Sequence, residues 1–255
     1  MKQGKLFIVV ITIVLIILVQ PNVFDTVKHI LFPRSFSEQI SGKKYVTPDQ
    51  DLNNSLAKKE FQGQRVIQVN NNVPTFTQKE MSLEKDHWKK FSDLDYLNRV
   101  GQAEALLSLR SLPSNNRGDI SSVKPTGWKN KKIIFNGEQS YLYNRCHLIA
   151  FSLSGENDNP KNLFTGTRAL NADFANEQQS MVYYEKEIAN YIRTTNHHVL
   201  YRVTPIFNGI DLVVKGVRME AKSVENNQIE FNIFIFNVQP GYKINYLDGT
   251  TVKEK

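Results

Sequence analysis

The chain has 255 residues, a formal net charge of +7 and an isoelectric point near 9.3. This basic balance favours polyanions or anionic membranes as partners, and 40% hydrophobic residues are enough for one substantial domain. Cys146 is the only cysteine, which excludes an intramolecular disulfide and a disulfide-stapled fold.

The N-terminus carries an apolar run from Leu6 to Val19, preceded by Lys2 and Lys5. At about 1.5 Å per residue the run covers roughly 21 Å, which is less than the hydrocarbon core and by itself favours a cleaved signal peptide. No small-residue cleavage pattern follows, however, and the two lysines suit the cytoplasmic flank of a signal anchor. We therefore predict a transmembrane anchor helix over residues 1–24 and an extracytoplasmic domain, which would be secreted if the anchor were cleaved.

Beyond the anchor, residues 25–62 are rich in Ser, Gln, Asn, Lys and Asp, which is typical of a polar tether. Residues 63–255 are expected to form one domain. This domain is predicted to begin with a strand near Arg65 to Val69, and a largely helical region is predicted from about Ser82 to Leu109.

A β-hairpin is predicted in the middle of the chain. Lys132 to Phe135 is strand-like, Asn136-Gly137 is a strong tight-turn signal, and the chain returns from Tyr141 onward. We expect this hairpin to deliver His147 and to be followed by a helix.

The returning strand places two functional side chains on one face. Residues alternate from Tyr141 to Ile149, so Arg145 and His147 point the same way. A guanidinium matches phosphate oxygens, and a neutral imidazole can take a proton from water near pH 7. The alternative is a histidine that caps a buried strand beside an arginine in a surface ion pair.

A helix is predicted from Met181, and Glu185 falls inside its apolar stripe. A carboxylate on the core-facing side must be paired or hydrogen-bonded, because burying an isolated charge is costly. A hydrated divalent cation would satisfy Glu185. An ion pair with a nearby Lys or Arg would satisfy it equally well.

The C-terminal part of the chain is rich in β-branched and aromatic residues. Strands are predicted over Val199 to Phe207, Leu212 to Met219 and Ile229 to Val238. They should form an antiparallel sheet, so the predicted fold class is α+β.

These segments together resemble the DNA/RNA non-specific endonucleases of the ββα-metal class, and most closely their Gram-positive branch of DNA-entry nucleases and streptococcal DNases. The resemblance runs from roughly Val66 to Asp248. The motifs that carry it are VIQVNNNVPTF, FSDLDYLNRVGQAEA, VKPTGW, NRCHLIA, NPKNLFTGTRALN, YYEKEIANYI, YRVTPIF, MEAKS and NVQPG. The resemblance implies a ββα-metal core packed on the central antiparallel sheet.

Position by position, the resemblance implies His147 as general base and Asn171 as the protein ligand of a Mg²⁺ or Mn²⁺ ion. Glu185 would hydrogen-bond waters of that ion. Arg145 is the third candidate in the catalytic group, where it would steady the phosphate or the active-site frame.

Further candidates lie on the substrate side of the site. Arg168 is a second arginine that would steady the phosphate or the active-site frame, Asn162 would orient the site, and Arg117 would approach the substrate.

The histidine motif departs from the Asp-Arg-Gly-His form that is common in the family. Asn144 replaces the acidic residue, so a metal-shell role at this position loses the carboxylate's charge. Cys146 replaces the glycine. A thiol nucleophile next to His147 is not favoured, because neighbours on a strand point to opposite faces, and a buried small side chain is expected there.

The resemblance implies a metal-dependent, sequence-non-specific endonuclease that hydrolyses DNA, with RNA as an open second substrate, at the cell surface or outside the cell. Its partners would be nucleic acid as substrate and the membrane through the anchor. The alternative is a catalytically inactive surface protein that binds nucleic acid on a nuclease scaffold; the retained His147, Asn171 and Glu185 argue against it.

Overall fold

The computed structural model describes residues 48–254, and the predicted anchor at residues 1–24 lies outside them. In this part of the chain no helix is both long enough and apolar enough to span a bilayer. The helices of the described part are α1 (Pro48–Ala57), α2 (Phe151–Ser154), α3 (Arg168–Asn171) and α4 (Met181–Thr195). Short 3-10 turns cover Asn70–Asn72, Leu109–Ser111, Pro160–Asn162 and Glu177–Gln179.

The strands of the described part are β1 (Val66–Gln68), β2 (Trp88–Phe91), β3 (Ala103–Leu107), β4 (Lys132–Phe135), β5 (Glu138–Tyr141), β6 (Tyr143–His147), β7 (Leu163–Thr167), β8 (Val199–Ile206), β9 (Gly216–Ser223), β10 (Glu230–Phe236), β11 (Tyr242–Ile244) and β12 (Thr251–Lys253). Six of them form an antiparallel sheet in the order β1-β10-β9-β8-β3-β2. The pairs β4-β5, β6-β7 and β11-β12 form separate two-stranded sheets. The structure is therefore mixed α and β around a central antiparallel sheet, as the sequence predicted.

One face of the central sheet forms the main hydrophobic core. Tyr201, Met219 and Ile233 alternate with residues of the other face, and they pack in the same cluster as Ile188 and Ile192 of α4. This layer stabilises the fold by roughly 25 cal/mol for each Å² of apolar surface that it buries. It fixes α4, and with it Glu185, against the sheet.

The opposite face of the sheet carries buried charges. Arg218 and Glu220 are about 1% exposed and are joined at 3.0 Å. Helix α1 covers this face, and its Asp49 pairs with the Arg218 guanidinium at 2.5 Å while Leu56 is buried. The last part of the segment predicted as a tether over residues 25–62 is therefore a folded helix, and the polar composition of α1 reflects the charged face on which it packs.

The region predicted as largely helical, Ser82 to Leu109, is instead built from β2 and β3. Its helix-forming residues are held extended by pairing with β8, where Glu104 lies opposite Arg202. The Asp95 carboxylate accepts hydrogen bonds from the N–H groups of Leu97 and Arg99, which makes a turn between the strands. Cross-strand pairing has overridden local helix propensity.

The predicted hairpin is present as β4 and β5, but it does not deliver His147. Asn136 and Gly137 both have positive φ, as their turn requires. The chain then leaves the hairpin. At Tyr143 the backbone pairs with the Asn130 side-chain amide, which accepts from the Tyr143 N–H and donates to the Tyr143 carbonyl. His147 lies on β6, which pairs with β7, so the two paired strands that precede α3 and α4 are β6 and β7.

The strands predicted near Arg65 to Val69, Val199 to Phe207 and Ile229 to Val238 correspond to β1, β8 and β10. The strand predicted over Leu212 to Met219 begins later, at Gly216. A Cβ at Gly216 would lie 2.2 Å from the carbonyl oxygen of Ile235, so glycine permits the close approach of β9 to β10 there.

Candidate active site

A cleft of about 820 Å³ lies where β6, α3 and α4 meet. Its lining includes His147 from β6, Asn171 from the end of α3 and Glu185 from α4. Arg117 and Arg145 also line it. Five of the seven residues expected to form the site are thus brought together, whereas Asn162 and Arg168 are not among the lining residues.

The hydrogen bonds of His147 define its tautomer. Its Nε2 lies 2.7 Å from the carbonyl oxygen of Asn157, which can only accept, so Nε2 carries the proton. The Nδ1 atom therefore holds a lone pair, and the nearest guanidinium nitrogen of Arg117 lies 3.5 Å from it. His147 presents an acceptor nitrogen in a cationic environment.

Burial lowers the pKa of His147 below its ordinary value of 6.5, and the charge of Arg117 lowers it further. The hydrogen bond to Asn157 acts in the opposite direction. The net lowering keeps the imidazole neutral at pH 7, which is the form that can accept a proton.

Asn162 acts on the segment after His147 rather than on the cleft. It is completely buried, and its side-chain amide accepts from the Ile149 N–H at 2.9 Å and donates to the Ile149 carbonyl at 3.0 Å. Its own carbonyl accepts from Leu148. Asn162 therefore lies behind the cleft rather than on its substrate side, where it can orient the segment after His147.

Glu185 lies at the wall of the cleft on α4. It is only partly exposed, and burial raises its pKa to about 8, with the charge of Arg117 acting in the opposite direction. Among residues 48–254 no side chain makes a hydrogen bond or an ion pair with its carboxyl group. The local ion pair that the sequence left open is therefore not formed in this part of the protein.

Asn171 is the last residue of α3, a helix of four residues that Thr167 begins. The Thr167 hydroxyl accepts from the N–H of Leu170 at 3.0 Å and so caps the helix. The Asn171 side chain has no hydrogen-bond partner among the described residues, so its amide oxygen is available as a ligand in the cleft.

Arg145 lies on the same face as His147, as the alternation predicted, but much of its guanidinium is already engaged. Its Nε and Nη2 donate to the carbonyls of Val123 and Ser121, and its Cζ lies 4.3 Å from the centre of the Trp128 ring. These contacts hold the loop that forms one wall of the cleft.

Arg168 lies outside the cleft lining. Its guanidinium lies 5.2 Å from the centre of the Phe174 ring, which is a cation-π contact on the protein surface. Phosphate contact by Arg168 would therefore have to occur beyond the cleft.

Cys146 faces away from the cleft, as the alternation predicted. It is fully buried, and burial raises the pKa of its thiol far above the ordinary value. A thiolate nucleophile is excluded at this position, because the reactive form of cysteine is the anion.

Three residues that shape the cleft had no predicted role. Asn157 fixes the His147 tautomer, Trp128 stacks on Arg145, and Asn130 holds Tyr143. The asparagine-rich loop over residues 154–162 was visible in the sequence, but a backbone carbonyl as the partner of His147 leaves no trace in residue type. Among the described residues, no group of three or more His, Cys, Asp or Glu side chains is arranged to hold a metal ion.

The DNA/RNA non-specific endonuclease family model matches residues 77–225, which is more than half of the chain. The structure is similar to that of NucA from Streptococcus agalactiae with a bound magnesium ion, with a TM-score of 0.69 and 24% identity over 82% of this chain and 98% of NucA. It is also similar to the Sda1 nuclease with a bound zinc ion, with a TM-score of 0.59 and 24% identity over 66% of this chain and 82% of Sda1.

An extracellular endonuclease matches with a TM-score of 0.54 and 20% identity over 76% of this chain and the whole of that chain. The family resemblance predicted from the sequence motifs is confirmed by the family match. The chain therefore belongs to the DNA/RNA non-specific endonuclease family, and it is a nuclease of the hydrolase class.

Proposed function

We propose that this nuclease is a metal-dependent, sequence-non-specific endonuclease in which His147 Nδ1 is the general base. One observation carries the proposal: the Asn157 carbonyl holds the His147 proton on Nε2 and leaves Nδ1 as an acceptor, in the same cleft as Asn171 and Glu185. The substrate is DNA, and RNA is a second substrate to be tested.

The residues of the cleft fit a Mg²⁺ or Mn²⁺ ion. Asn171 offers an amide oxygen and Glu185 offers a carboxyl group. Neither group has a hydrogen-bond partner among the described residues. Hard cations of this kind prefer oxygen ligands and retain several waters, so one direct protein ligand and one carboxylate that binds the waters suffice. When bound, the ion supplies positive charge to the phosphate oxygens and the leaving oxygen.

The proposed reaction is hydrolysis of the P–O3′ bond. His147 Nδ1 accepts a proton from a water molecule as the water oxygen attacks phosphorus. The 3′ oxygen leaves and takes a proton from solvent, so the new strand end carries a 5′ phosphate. Arg117 beside Nδ1 donates to a non-bridging oxygen, and its charge promotes release of the proton from His147 after the reaction.

We further propose that residues 1–24 anchor the chain in the membrane, that the tether beyond them ends before α1, and that the nuclease domain lies outside the cytoplasm. Similarity to a structure described as an extracellular endonuclease supports the location of the domain. The basic flank at Lys2 and Lys5 supports the orientation of the anchor.

The test is cleavage of supercoiled plasmid by the full chain in detergent, with Mg²⁺, with EDTA, and with the variants His147→Ala and His87→Ala. We expect cleavage to require the ion and to fall by about 10²- to 10⁴-fold in His147→Ala, while DNA affinity stays close to that of the wild type. His87 is exposed and lies outside the cleft lining, so its variant is the matched control.

Wild-type protein that binds the plasmid but does not cleave it with any divalent ion would support the inactive binding protein instead. Full activity in His147→Ala would remove the proposed base.

A further inference from the structure

Helix α3 carries Asn171, but it is too short to be stable through its own hydrogen bonds. A single helical turn has an unfavourable nucleation free energy and few internal hydrogen bonds. Its backbone is fixed from outside at Ala169, whose N–H donates to Gln239 Oε1 at 3.1 Å and whose carbonyl accepts from Arg65 Nη1 at 3.2 Å.

The same Arg65 side chain also holds the chain beyond Asn171. Its Nη2 contacts Asp173 at 2.5 Å, and its Nε donates to Gln179 at 3.2 Å. Arg65 and Asp173 are 5% and 1% exposed, so this is a buried ion pair, and each of the three guanidinium nitrogens donates a hydrogen bond. One guanidinium therefore binds the residues two positions before and two positions after Asn171.

Asp173 is itself held in place by further donors. It accepts from the Asn136 side chain at 2.8 Å, at the tip of the β4-β5 turn, and from the N–H of Ala175 at 3.1 Å. These bonds fix the carboxylate that receives Arg65, so Asp173 has little freedom to follow a displaced helix.

Arg65 and Gln239 are anchored to the central sheet. The carbonyl of Arg65 accepts from the N–H of Phe236 in β10, directly before β1 begins, and Gln239 follows β10 in the chain. Arg65 and Gln239 therefore connect the central sheet to the residues on either side of Asn171. Neither of them lines the cleft, and Asp173 does not line it either.

We propose that Arg65, Asp173 and Gln239 are positioning residues that orient the Asn171 amide for metal binding. The proposal rests on the proposed role of Asn171 as the metal ligand. Groups that hydrogen-bond a metal ligand are typically worth about 10- to 100-fold in metal affinity. The contacts of Arg65, Asp173 and Gln239 act on the chain on either side of Asn171, so we expect an effect at the lower end of that range.

The test is direct Mn²⁺ binding to the full chain, measured by electron paramagnetic resonance of the free ion, together with the Mg²⁺ concentration that gives half-maximal cleavage. The variants are Asp173→Asn, Arg65→Lys and Asn171→Ala. The matched control is Asp49→Asn, because Asp49 also pairs with a buried arginine at 2.5 Å but on the opposite face of the sheet.

We expect Asp173→Asn and Arg65→Lys to weaken Mn²⁺ binding by about tenfold or more and to raise the half-maximal Mg²⁺ concentration in parallel, with cleavage restored at saturating Mg²⁺. Asp49→Asn should bind Mn²⁺ like the wild type. If Asp173→Asn does not fold, Arg65→Lys still tests the same ion pair.

Two results would overturn the proposal. In the first, Asp173→Asn and Arg65→Lys both bind Mn²⁺ like the wild type, whereas Asn171→Ala binds it weakly. Asn171 would then still be the ligand, but the two other residues would not position it. The second is an equal loss in Asp49→Asn, which would make the effect one of general stability. Wild-type binding in Asn171→Ala would instead remove the proposed ligand itself.

Discussion

The Glu185 carboxyl lies where an ionised group is hard to maintain without a cation. Burial raises its pKa to about 8, so in the metal-free protein it stays protonated at pH 7, whereas in the unfolded chain it ionises near pH 4.5. Between these two values the folded state holds a proton that the unfolded state has lost. The contribution of Glu185 to stability therefore decreases as pH rises through this range.

We predict that Glu185→Gln stabilises the protein in EDTA and that the gain in Tm over the wild type grows from pH 5 to pH 8. A change of about 1 kcal/mol moves Tm by roughly 2–4 °C in a domain of this size. Thermal denaturation at several pH values measures it, and Glu187→Gln on the exposed side of α4 is the control. A gain that does not depend on pH would contradict the prediction.

Cys146 and Gly166 are diagonal neighbours in the paired strands β6 and β7, where Cys146 lies opposite Phe164 and Gly166 lies opposite Asn144. A Cβ at Gly166 would lie 2.4 Å from the Cys146 sulfur and 3.0 Å from the Phe164 ring. The absence of a side chain at Gly166 is what makes room for Cys146 where the family motif commonly has glycine.

Gly166→Ala should therefore destabilise the protein by about 1–3 kcal/mol through overpacking, and adding Cys146→Gly should recover part of that loss. Chemical denaturation of the two single variants and the double variant gives the coupling energy between the positions. Additive effects would show that the two residues do not compete for space. Phe164 remains close to the new methyl group, so recovery should be incomplete.

For single residues, the sequence predicted the features that depend on the alternation of side chains along a strand. Arg145 and His147 do share a face, and Cys146 is buried on the other. The partners of these side chains were not predictable, because Asn157, Ser121 and Val123 contribute backbone carbonyls from loops 10 to 24 residues away in the chain. Residue type carries no information about such contacts.

Among the elements, α1 shows how a polar segment can be part of the fold. Its Asp49 and Asn53 both accept from the buried guanidinium of Arg218. Among the residues that the structure describes, removing α1 leaves that charge with Glu220, Asn232 and Thr75 as partners. A composition typical of a tether could not reveal a helix whose partners are buried charges.

We predict that a chain beginning at residue 62 unfolds at a lower temperature than one beginning at residue 48, because Arg218 loses the partly exposed Asp49 and the core around Phe234 loses Leu56. Loss of one buried leucine costs about 2 kcal/mol or more, which corresponds to a decrease in Tm of roughly 4–8 °C. Differential scanning fluorimetry measures the difference. Cleavage rates at 20 °C should be similar, because α1 does not line the cleft. Equal melting temperatures would show that α1 does not stabilise the domain.

The β2-β3 region shows the limit of local propensity. Ala, Leu, Glu and Lys over Trp88–Phe91 and Ala103–Leu107 favour helix by themselves, and pairing with β8 decides otherwise. The hairpin at Asn136-Gly137 was predictable from its turn residues alone. The strand pairing that follows the hairpin was not predictable, because β6 pairs with β7 through residues that are 16 or more positions apart in the chain.

For the whole molecule, the net charge of +7 makes nucleic-acid binding sensitive to salt. Each phosphate contact releases counterions, so the logarithm of the binding constant should fall linearly with the logarithm of salt concentration. Base-specific contacts are not required for this dependence.

We predict that Arg117→Gln, combined with His147→Ala to prevent cleavage, lowers the steepness of this salt dependence by about one unit, whereas Arg168→Gln changes it less. Arg117 lines the cleft and Arg168 does not. Fluorescence anisotropy with labelled DNA in EDTA measures both slopes. A larger effect in Arg168→Gln would move the substrate path to the surface around Phe174.

The position of Gln239 has a consequence for biosynthesis. His147, Asn171 and Glu185 are all translated before β10, yet Gln239 and the β10 residues that pair with Val66–Gln68 come after them. A nascent chain that ends before β10 carries every proposed catalytic group and also Arg65, but it lacks Gln239 and the strand that anchors the Arg65 backbone, so the support of α3 is incomplete. The hydrolytic site would therefore assemble only at the end of synthesis, which delays its action on nucleic acid near the ribosome.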